Sequence, residues 1–461
     1  MSEIASTASA KKDTSFFGEP KALAYLAFTE AWERFSYYGM TALLVLYMTE
    51  ALFLPGHVEH IVGFEGFKAG FESIFGPMSP LALASQIYGL YTGFVYFTPV
   101  FGGWIADRWI GRRNAVVTGA ILMSGGHIAM AFDQSFLLAL LLLITGCGLL
   151  KGNISTQVGQ LYAEDDAAGR TRGYSIFSMG INVGATIGPL ACGLLAQMYG
   201  WHAGFGLAGI LMLIGLATYL AGYRTLTEET PSANRATEAP AKLGAKEWRI
   251  IGALAVAMAL TVPQSVAYYQ NTSIGFVWTN AHVNLDFFGF HIPTAWFGSI
   301  DPFISIVFVP VLIALWGWQD RHGGEPDEIM KISQGAFMAA AANFLLVLGC
   351  WFFAPVPALF PILYDVLLGI AFLYYWPPLL ALVSRAAPTG LKATLLGAAF
   401  LALFVGNIIV GWVGTYYEKM SPANFWMLEG VIAVVGGVLA FILARPLMRV
   451  LATPAKVRNA S

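Results

Sequence analysis

Charge is what this sequence lacks most. Asp, Glu, Lys and Arg make up 11% of its 461 residues, under half of the roughly 25% usual in a soluble domain, so most of the surface must face something other than water. The formal net charge is -2, and no basic field of the kind that binds nucleic acid is present. Cysteine is scarce too. Cys147, Cys192 and Cys350 lie in apolar runs without a Cys-x-x-Cys spacing. They read as packing residues, not as a disulfide or metal framework. There is no His-Glu-x-x-His and no Ser/His/Asp set at membrane depth, so an intramembrane enzyme is not expected. Residues 1–20 are polar and lack the apolar core of a cleavable signal peptide; the first apolar run is expected to stay in the mature protein.

What the sequence has is long apolar runs. They lie near 22–50, 82–106, 113–132, 135–161, 172–199, 202–223, 248–279, 294–319, 329–353, 357–386, 390–417 and 421–448. A bilayer core takes about 20 residues of helix, so the pattern predicts an all-α membrane protein with twelve transmembrane helices. The stretch from Arg224 to Lys246 carries Pro231, Pro240 and scattered charge and reads as a linker. The chain then divides into a tail at 1–21, a six-helix bundle at 22–223, a linker at 224–247, a second six-helix bundle at 248–449 and a tail at 450–461. Paired six-helix halves with the ligand near the bilayer midplane are a known architecture of secondary transporters.

Basic residues set the orientation. Lys11, Lys12 and Lys21, then Arg108, Arg112 and Arg113, Arg170 and Arg172, Arg224, Arg235, Lys242, Lys246 and Arg249 fall on one side. Arg321, Lys331, Arg385 and Lys392 fall there as well, followed by Arg445, Arg449, Lys456 and Arg458. The other side holds only Lys68 and Lys419. Both termini and the linker are therefore expected in the cytoplasm, and the protein in the plasma (inner) membrane. The outer loop 51–80 contains His57, His60, Glu59, Glu65 and Glu72. It reads as a solvated loop, because nothing supplies a closed ligand set for a metal.

The first apolar run contains Glu30-Ala-Trp-Glu33-Arg34-Phe-Ser-Tyr37-Tyr38. A charged residue at the bilayer centre costs about 2.5–3.5 kcal/mol on insertion scales. Glu30, Glu33 and Arg34 are spaced i, i+3, i+4 and so share one helix face, which makes them tolerable. Two readings stand: a structural ion pair at a helix end, or a charged face on a cavity with a carboxylate that takes and releases a proton. Gly102-Gly103-Trp-Ile-Ala-Asp107-Arg108-Trp-Ile-Gly111-Arg112-Arg113 bridges the second and third runs. Asp107, Arg108 and Arg112 can latch that side in one conformational state, or merely hold the loop inside. Tyr96 in the second run is open to an inward-facing role or to packing. Lys151, in Lys151-Gly-Asn153-Ile-Ser155, sits too deep to reach an interface and needs an anionic partner or must lose its proton; Glu30 and Glu33 are the candidates. Asn182 in the fifth run is a buried amide that needs partners.

The stretch at 30–38 resembles the Glu-x-x-Glu-Arg-Phe-x-Tyr-Tyr motif of the proton-coupled oligopeptide transporters of the major facilitator superfamily. The loop at 102–113 resembles that superfamily's loop motif, and 151–155 and 177–184 resemble the family's fourth and fifth helices, with Gly152 and Ser178 where a proline and a tyrosine are usual. The resemblance implies the major facilitator fold and inward proton symport of di- or tripeptides, or of peptide-like solutes, by alternating access. The implied coupling residues are Glu30, Glu33, Arg34 and Lys151. The implied substrate contacts are Arg34, Tyr37, Tyr38, Tyr96, Lys151, Asn182, Gln270, Asp301 and Trp376, with the substrate carboxylate at Arg34 and Lys151. Lys151 would exchange Glu33 for that carboxylate, freeing Glu33 for protonation. No cofactor is implied beyond the proton gradient. The expected partners are a small peptide, protons and the bilayer, with no nucleic acid, and the expected state is a monomer.

The second half departs from the family. Its acid-Gln pair on the seventh helix is here Tyr269-Gln270, or alternatively Pro263-Gln264. The glutamate of the tenth helix is missing from Ile370–Pro378, and Asp301-Pro302 stands where Asn-Pro is usual. Asp301, a carboxylate inside an apolar run, is a functional candidate by default; it can bind an amine, carry a proton or pair with Arg34. Asp365 and Glu429 are expected nearer the outer ends of their helices. Tyr374, Tyr375 and Trp376 form either a pocket wall or an interfacial belt. The departures leave a second cargo open, a non-peptide or N-capped peptidic metabolite, and a non-transporting sensor also remains open.

Overall fold

The computed structural model describes residues 16–163, 166–226, 243–388 and 390–451. Much of the linker, most of both tails, and Lys11, Lys12, Arg235, Lys242, Lys456 and Arg458 lie outside them. The first half runs α1 (Lys21–Tyr47), α2 (Phe64–Phe75), α3 (Pro80–Ile105), α4 (Arg112–Ala129), α5 (Phe136–Gln160), α6 (Ala167–Tyr199) and α7 (Trp201–Gly222). The second runs α8 (Ala245–Leu260), α9 (Val262–Tyr269), α10 (Ile274–His282), α11 (Ile300–His322), α12 (Glu328–Phe352), α13 (Leu359–Ala386), α14 (Lys392–Gly414) and α15 (Pro422–Leu451).

Helix starts follow ordinary capping chemistry. Ser79 accepts from the Ala82 amide at 3.1 Å, with Pro80 in the first turn of α3. Asp166 accepts from the Gly169 amide and Asp327 from the Met330 amide, each at 2.8 Å. Among the described residues nine helices are long and apolar enough to cross a membrane. Helices α1, α3 and α4 are not among them. The first carries Glu30, Glu33 and Arg34, the second is rich in tyrosine and glycine, and the third opens on Arg112-Arg113. They nonetheless pack as neighbours of the others: α1 on α6 and α7, α3 on α5 and α14, α4 on α5 and α7.

Three expectations change. The outer loop is not irregular: α2 fills much of it, because Phe64, Phe67, Phe71 and Phe75 recur at helical spacing and stack along one side, at 4.8 Å for Phe67–Phe71 and 6.1 Å for Phe71–Phe75. The seventh run, expected as one helix, is broken twice. Pro263 opens α9, where a missing N–H is tolerated, and the chain then tightens into a 3-10 turn at Gln270–Thr272 before α10. The outer connections also hold four two-residue strands: β1 (Val283–Asn284) pairs in parallel with β4 (Val356–Pro357), and β2 (Asp286–Phe287) pairs antiparallel with β3 (Phe290–His291).

Close helix crossings rest on small residues. A Cβ on Gly102 would strike the Gly148 carbonyl, which is how α3 approaches α5, and one on Gly184 would strike the Ala31 carbonyl of α1. The halves meet along α3–α14 and α6–α11. Near the outer ends Asn280 donates to Glu50 at 2.6 Å, Gln197 donates to the His291 carbonyl at 2.8 Å, and Ser79 donates to Glu418. Deeper along the seam the Trp296 indole donates to the Leu190 carbonyl at 2.9 Å. The ion pairs Arg172–Glu19, Arg112–Asp107, Lys331–Glu325 and Arg385–Glu328 each close within one half.

Candidate functional site

A cavity lies between the halves. Tyr37, Tyr38, Tyr88, Tyr96 and Asn182 wall it from the first half, and Tyr268, Tyr269, Asn271, Asp301 and Phe372 from the second. Asn182 and Ser305 also line a larger cleft between α6 and α11, which runs past Ser178 and Tyr174 to Arg170. That cleft opens toward the face at which α1 starts, away from the Glu50–Asn280 bond.

The first-half charges sit behind the tyrosines, all three nearly inaccessible: Glu30 2%, Glu33 0% and Arg34 3% exposed. The i, i+3, i+4 spacing delivers both carboxylates to one guanidinium. Arg34 Nε lies 2.9 Å from Glu30 Oε1 and 2.5 Å from Glu33 Oε2. Its head is 5.5 Å from the Tyr37 ring centre. Lys151 does not complete the expected pair with Glu33 in this conformation. Its Nζ lies over the Tyr96 ring, 4.3 Å from the centroid, a cation–π position. The Tyr96 hydroxyl in turn lies 3.1 Å from that of Tyr269 across the seam. Asn153 donates to the Gly102 and Leu149 carbonyls at 3.2 and 2.8 Å and so ties α5 to α3.

On the second-half side the break in the seventh run does the positioning. Tyr268 donates to Asp301 on α11, Tyr269 meets Tyr96 on α3, Gln270 donates to Glu429 on α15 at 2.9 Å, and Asn271 is within hydrogen-bonding reach of Asp365 on α13. Four consecutive side chains thus address four different helices. Three of the four, Tyr268, Tyr269 and Asn271, also line the cavity. Asp301 pairs with Tyr268 and not with Arg34. Gln264, of the alternative pair, donates to the Ala371 carbonyl at 3.2 Å and serves packing.

Four predicted contacts are not on the wall: Arg34 and Lys151 lie behind it, and Gln270 and Trp376 turn elsewhere. Gln270 is buried and turned to Glu429. Trp376 packs on Phe400, with ring centres 5.2 Å apart. Tyr374 and Tyr375 are buried inside the second half, so this cluster is neither a cavity wall nor an interfacial belt. Conversely, Tyr88, Tyr268, Asn271 and Phe372 line the cavity without having been singled out. Asp365 and Glu429 do lie in the outer parts of their helices, yet they are 5% and 0% exposed and face the break. A lone acid in an apolar run was the available signal. Arg112, at the start of α4, binds Asp107 at 2.9 Å, while Arg108 is exposed.

The two ends of the site differ in charge. Two carboxylates, a guanidinium and an ammonium balance on the first-half side. Among the described residues, three carboxylates with no cationic partner occupy the other side.

The family model described as the POT family matches residues 113–243 and 236–427. An uncharacterized transporter of Bacillus subtilis, YclF, is 29% identical over 93% of this chain and 94% of its own length. A di-/tripeptide transporter of Lactococcus lactis subsp. cremoris is 27% identical over 96% of this chain and 98% of its own. Among solved structures, a mutant of peptide transporter POT in complex with alafosfalin superposes with a TM-score of 0.80 at 26% identity, covering 95% of this chain and 97% of that one. With the motifs of α1, α5 and α6 gathered around one cavity and the family model matched across most of the sequence, the chain belongs to the POT family.

Proposed function

We propose that the protein is a proton-coupled symporter that imports di- or tripeptides, or peptide-like solutes, by alternating access. The observation that carries this is the charge asymmetry of the cavity: a guanidinium and an ammonium, balanced by Glu30 and Glu33, behind one wall, and Asp301 without a cationic partner among the described residues on the other. That asymmetry fits a zwitterion with a carboxylate at one end and an ammonium at the other. Relatives named as di-/tripeptide and peptide transporters support the same reading. Arg34 and Lys151 receive the substrate carboxylate, and Lys151 can leave the Tyr96 ring at small cost to do so. Glu30 and Glu33 carry the coupled proton. Tyr37, Tyr38, Tyr96 and Asn182 hold the peptide, and Asp301 takes its amine. Two six-helix units, 22–223 and 248–449, rock about the cavity, and Asp107, Arg108 and Arg112 bear on the inner gate. We read α1, α3 and α4 as spans beside the nine apolar helices, making twelve. The termini lie in the cytoplasm, the membrane is the inner membrane, the working unit is a monomer, and neither enzymatic chemistry nor a cofactor is involved.

A second reading, a cargo without a free amine, is favoured by Phe372. It puts an aromatic ring on the cavity wall from α13, the helix where the resemblance expects an acid. Uptake of labelled dialanine into proteoliposomes under an inward proton gradient, with N-acetyl-dialanine as competitor, separates the two. Uptake untouched by the capped peptide supports recognition of the amine. A folded protein that takes up the capped peptide alone supports the second cargo.

A further inference from the structure

The symport reading assigns protons to Glu30 and Glu33 and leaves Glu429 without a task. Its surroundings are unlike those of the first-half acids. Glu429 is 0% exposed. Its Oε1 accepts from Gln270 at 2.9 Å, and its Oε2 has no partner. It lines none of the described cavities, so no substrate amine can neutralise it, in contrast to Asp301. The groups facing it are few: Gln270 from the break and Tyr364 from α13, with Trp426 on its own helix, while Asp365 lies on the far side of Tyr364 against Asn271. Helices α8, α9 and α12 pack on α15 without presenting a cation to it, and Asp301 is the next acid toward the cavity. A buried carboxylate with one neutral donor and no counter-ion is costly to leave ionised.

Its partner sits on irregular backbone. Gln270 opens the 3-10 turn, and Ser273 next to that turn has φ -107 and ψ -103, outside helix and strand alike. A reorientation of α9 against α10 at this turn would move Gln270 off Glu429 and change Tyr268–Asp301 at the cavity wall together. Such a movement would link Glu429 to occupancy of the site without contact to the ligand.

We propose that Glu429, read by Gln270, is a second proton-carrying site, distinct from the Glu30–Glu33–Arg34 cluster. It binds a proton in the conformation described and releases it to water when the break at 268–273 reorients. The proposal rests on the symport reading for its role in transport, and on the geometry alone for the protonated state.

The test uses the full-length protein and Glu429→Gln, which keeps the shape of a neutral carboxyl. In proteoliposomes, dialanine counterflow without a gradient should persist in the variant. The proton-to-dialanine ratio should fall by one, which lowers the accumulation limit about tenfold per unit of pH gradient. An unchanged ratio overturns the proposal, and so does loss of counterflow in a folded variant, which would make Glu429 part of the binding machinery. Infrared difference spectra of the detergent-solubilised protein over a pH series provide a readout that needs no substrate. The wild-type-minus-E429Q spectrum should contain a protonated carboxyl component beside the bands that the other buried acids give both proteins, and Gln270→Ala should shift the pH at which that component disappears. A wild-type-minus-E429Q spectrum without a carboxyl component, or a midpoint unmoved in Q270A, overturns it. If wild type moves no dialanine yet shows the Glu429 band, the symport reading fails while the proton site stands.

Discussion

The hydroxyls of Tyr96 and Tyr269 meet 3.1 Å apart, while the other face of Tyr96 carries the Lys151 ammonium at 4.3 Å. One ring therefore joins the two halves and carries the cation that we propose receives the substrate carboxylate. On that reading, a move of Lys151 to the ligand would take the charge partner from the ring that touches the second half.

Tyr96→Phe keeps the ring and removes the cross-seam hydrogen bond. A net hydrogen bond is worth about 1 kcal/mol, so the balance between the conformation described and its outward-facing counterpart should shift about fivefold. Cysteine-accessibility labelling from the outer face should rise by that order. Equal labelling in both proteins would show that the contact does not bias the halves.

Lys151→Ala should weaken binding of dialanine far more than that of its C-terminal amide. A charge-assisted hydrogen bond contributes about 1.5–3 kcal/mol, which predicts a loss of roughly 10- to 100-fold for the free acid. Isothermal titration of both ligands checks this, and equal losses for the two would remove Lys151 from carboxylate recognition.

Arg34→Ala should be mainly a stability lesion. It strands Glu30 and Glu33 together at 2% and 0% exposure, and breaking a buried pair costs about 3–5 kcal/mol. Arg34→Ala combined with Glu33→Gln should recover part of that loss, since one stranded charge is gone. Thermal unfolding in detergent reads both; a double variant no more stable than the single would rule out charge burial as the cause.

Asp301→Asn should separate amine from carboxylate recognition. Dialanine should lose roughly 10-fold or more in affinity, by the same charge-assisted bond, while N-acetyl-dialanine should not. Competition binding measures both. Parallel losses would mean that Asp301 shapes the wall through Tyr268 and does not read the amine.

The first half was the more legible in the sequence because its chemistry is local. Glu30, Glu33 and Arg34 are neighbours in number, so helical periodicity alone places them on one face, and the ion pairs follow. The second half depends on contacts that periodicity does not carry. Gln270 and Glu429 are far apart in the chain, and their pairing exists only because α9 and α15 pack together. Hydropathy reads 248–279 as one run, since Pro263 and the polar turn at 270–273 are averaged away by their apolar neighbours; the break that aims four side chains at four helices is invisible to it. Trp376 illustrates the opposite error. An aromatic cluster beside two prolines suggests a pocket wall, but only Phe372 lies at the depth of the cavity; Trp376, one turn further along α13, packs on Phe400.

The ion pairs of the described residues close within one half or the other, while the seam is joined by neutral donors and carbonyls such as Trp296–Leu190 and Tyr96–Tyr269, or by neutral donors on carboxylates such as Asn280–Glu50. Dissolved ions screen opposite charges over about 8 Å at physiological strength, but they have little purchase on contacts of this kind. Under the proposed alternating access, the seam along which the halves part is therefore expected to be deaf to the ionic strength on either side of the membrane.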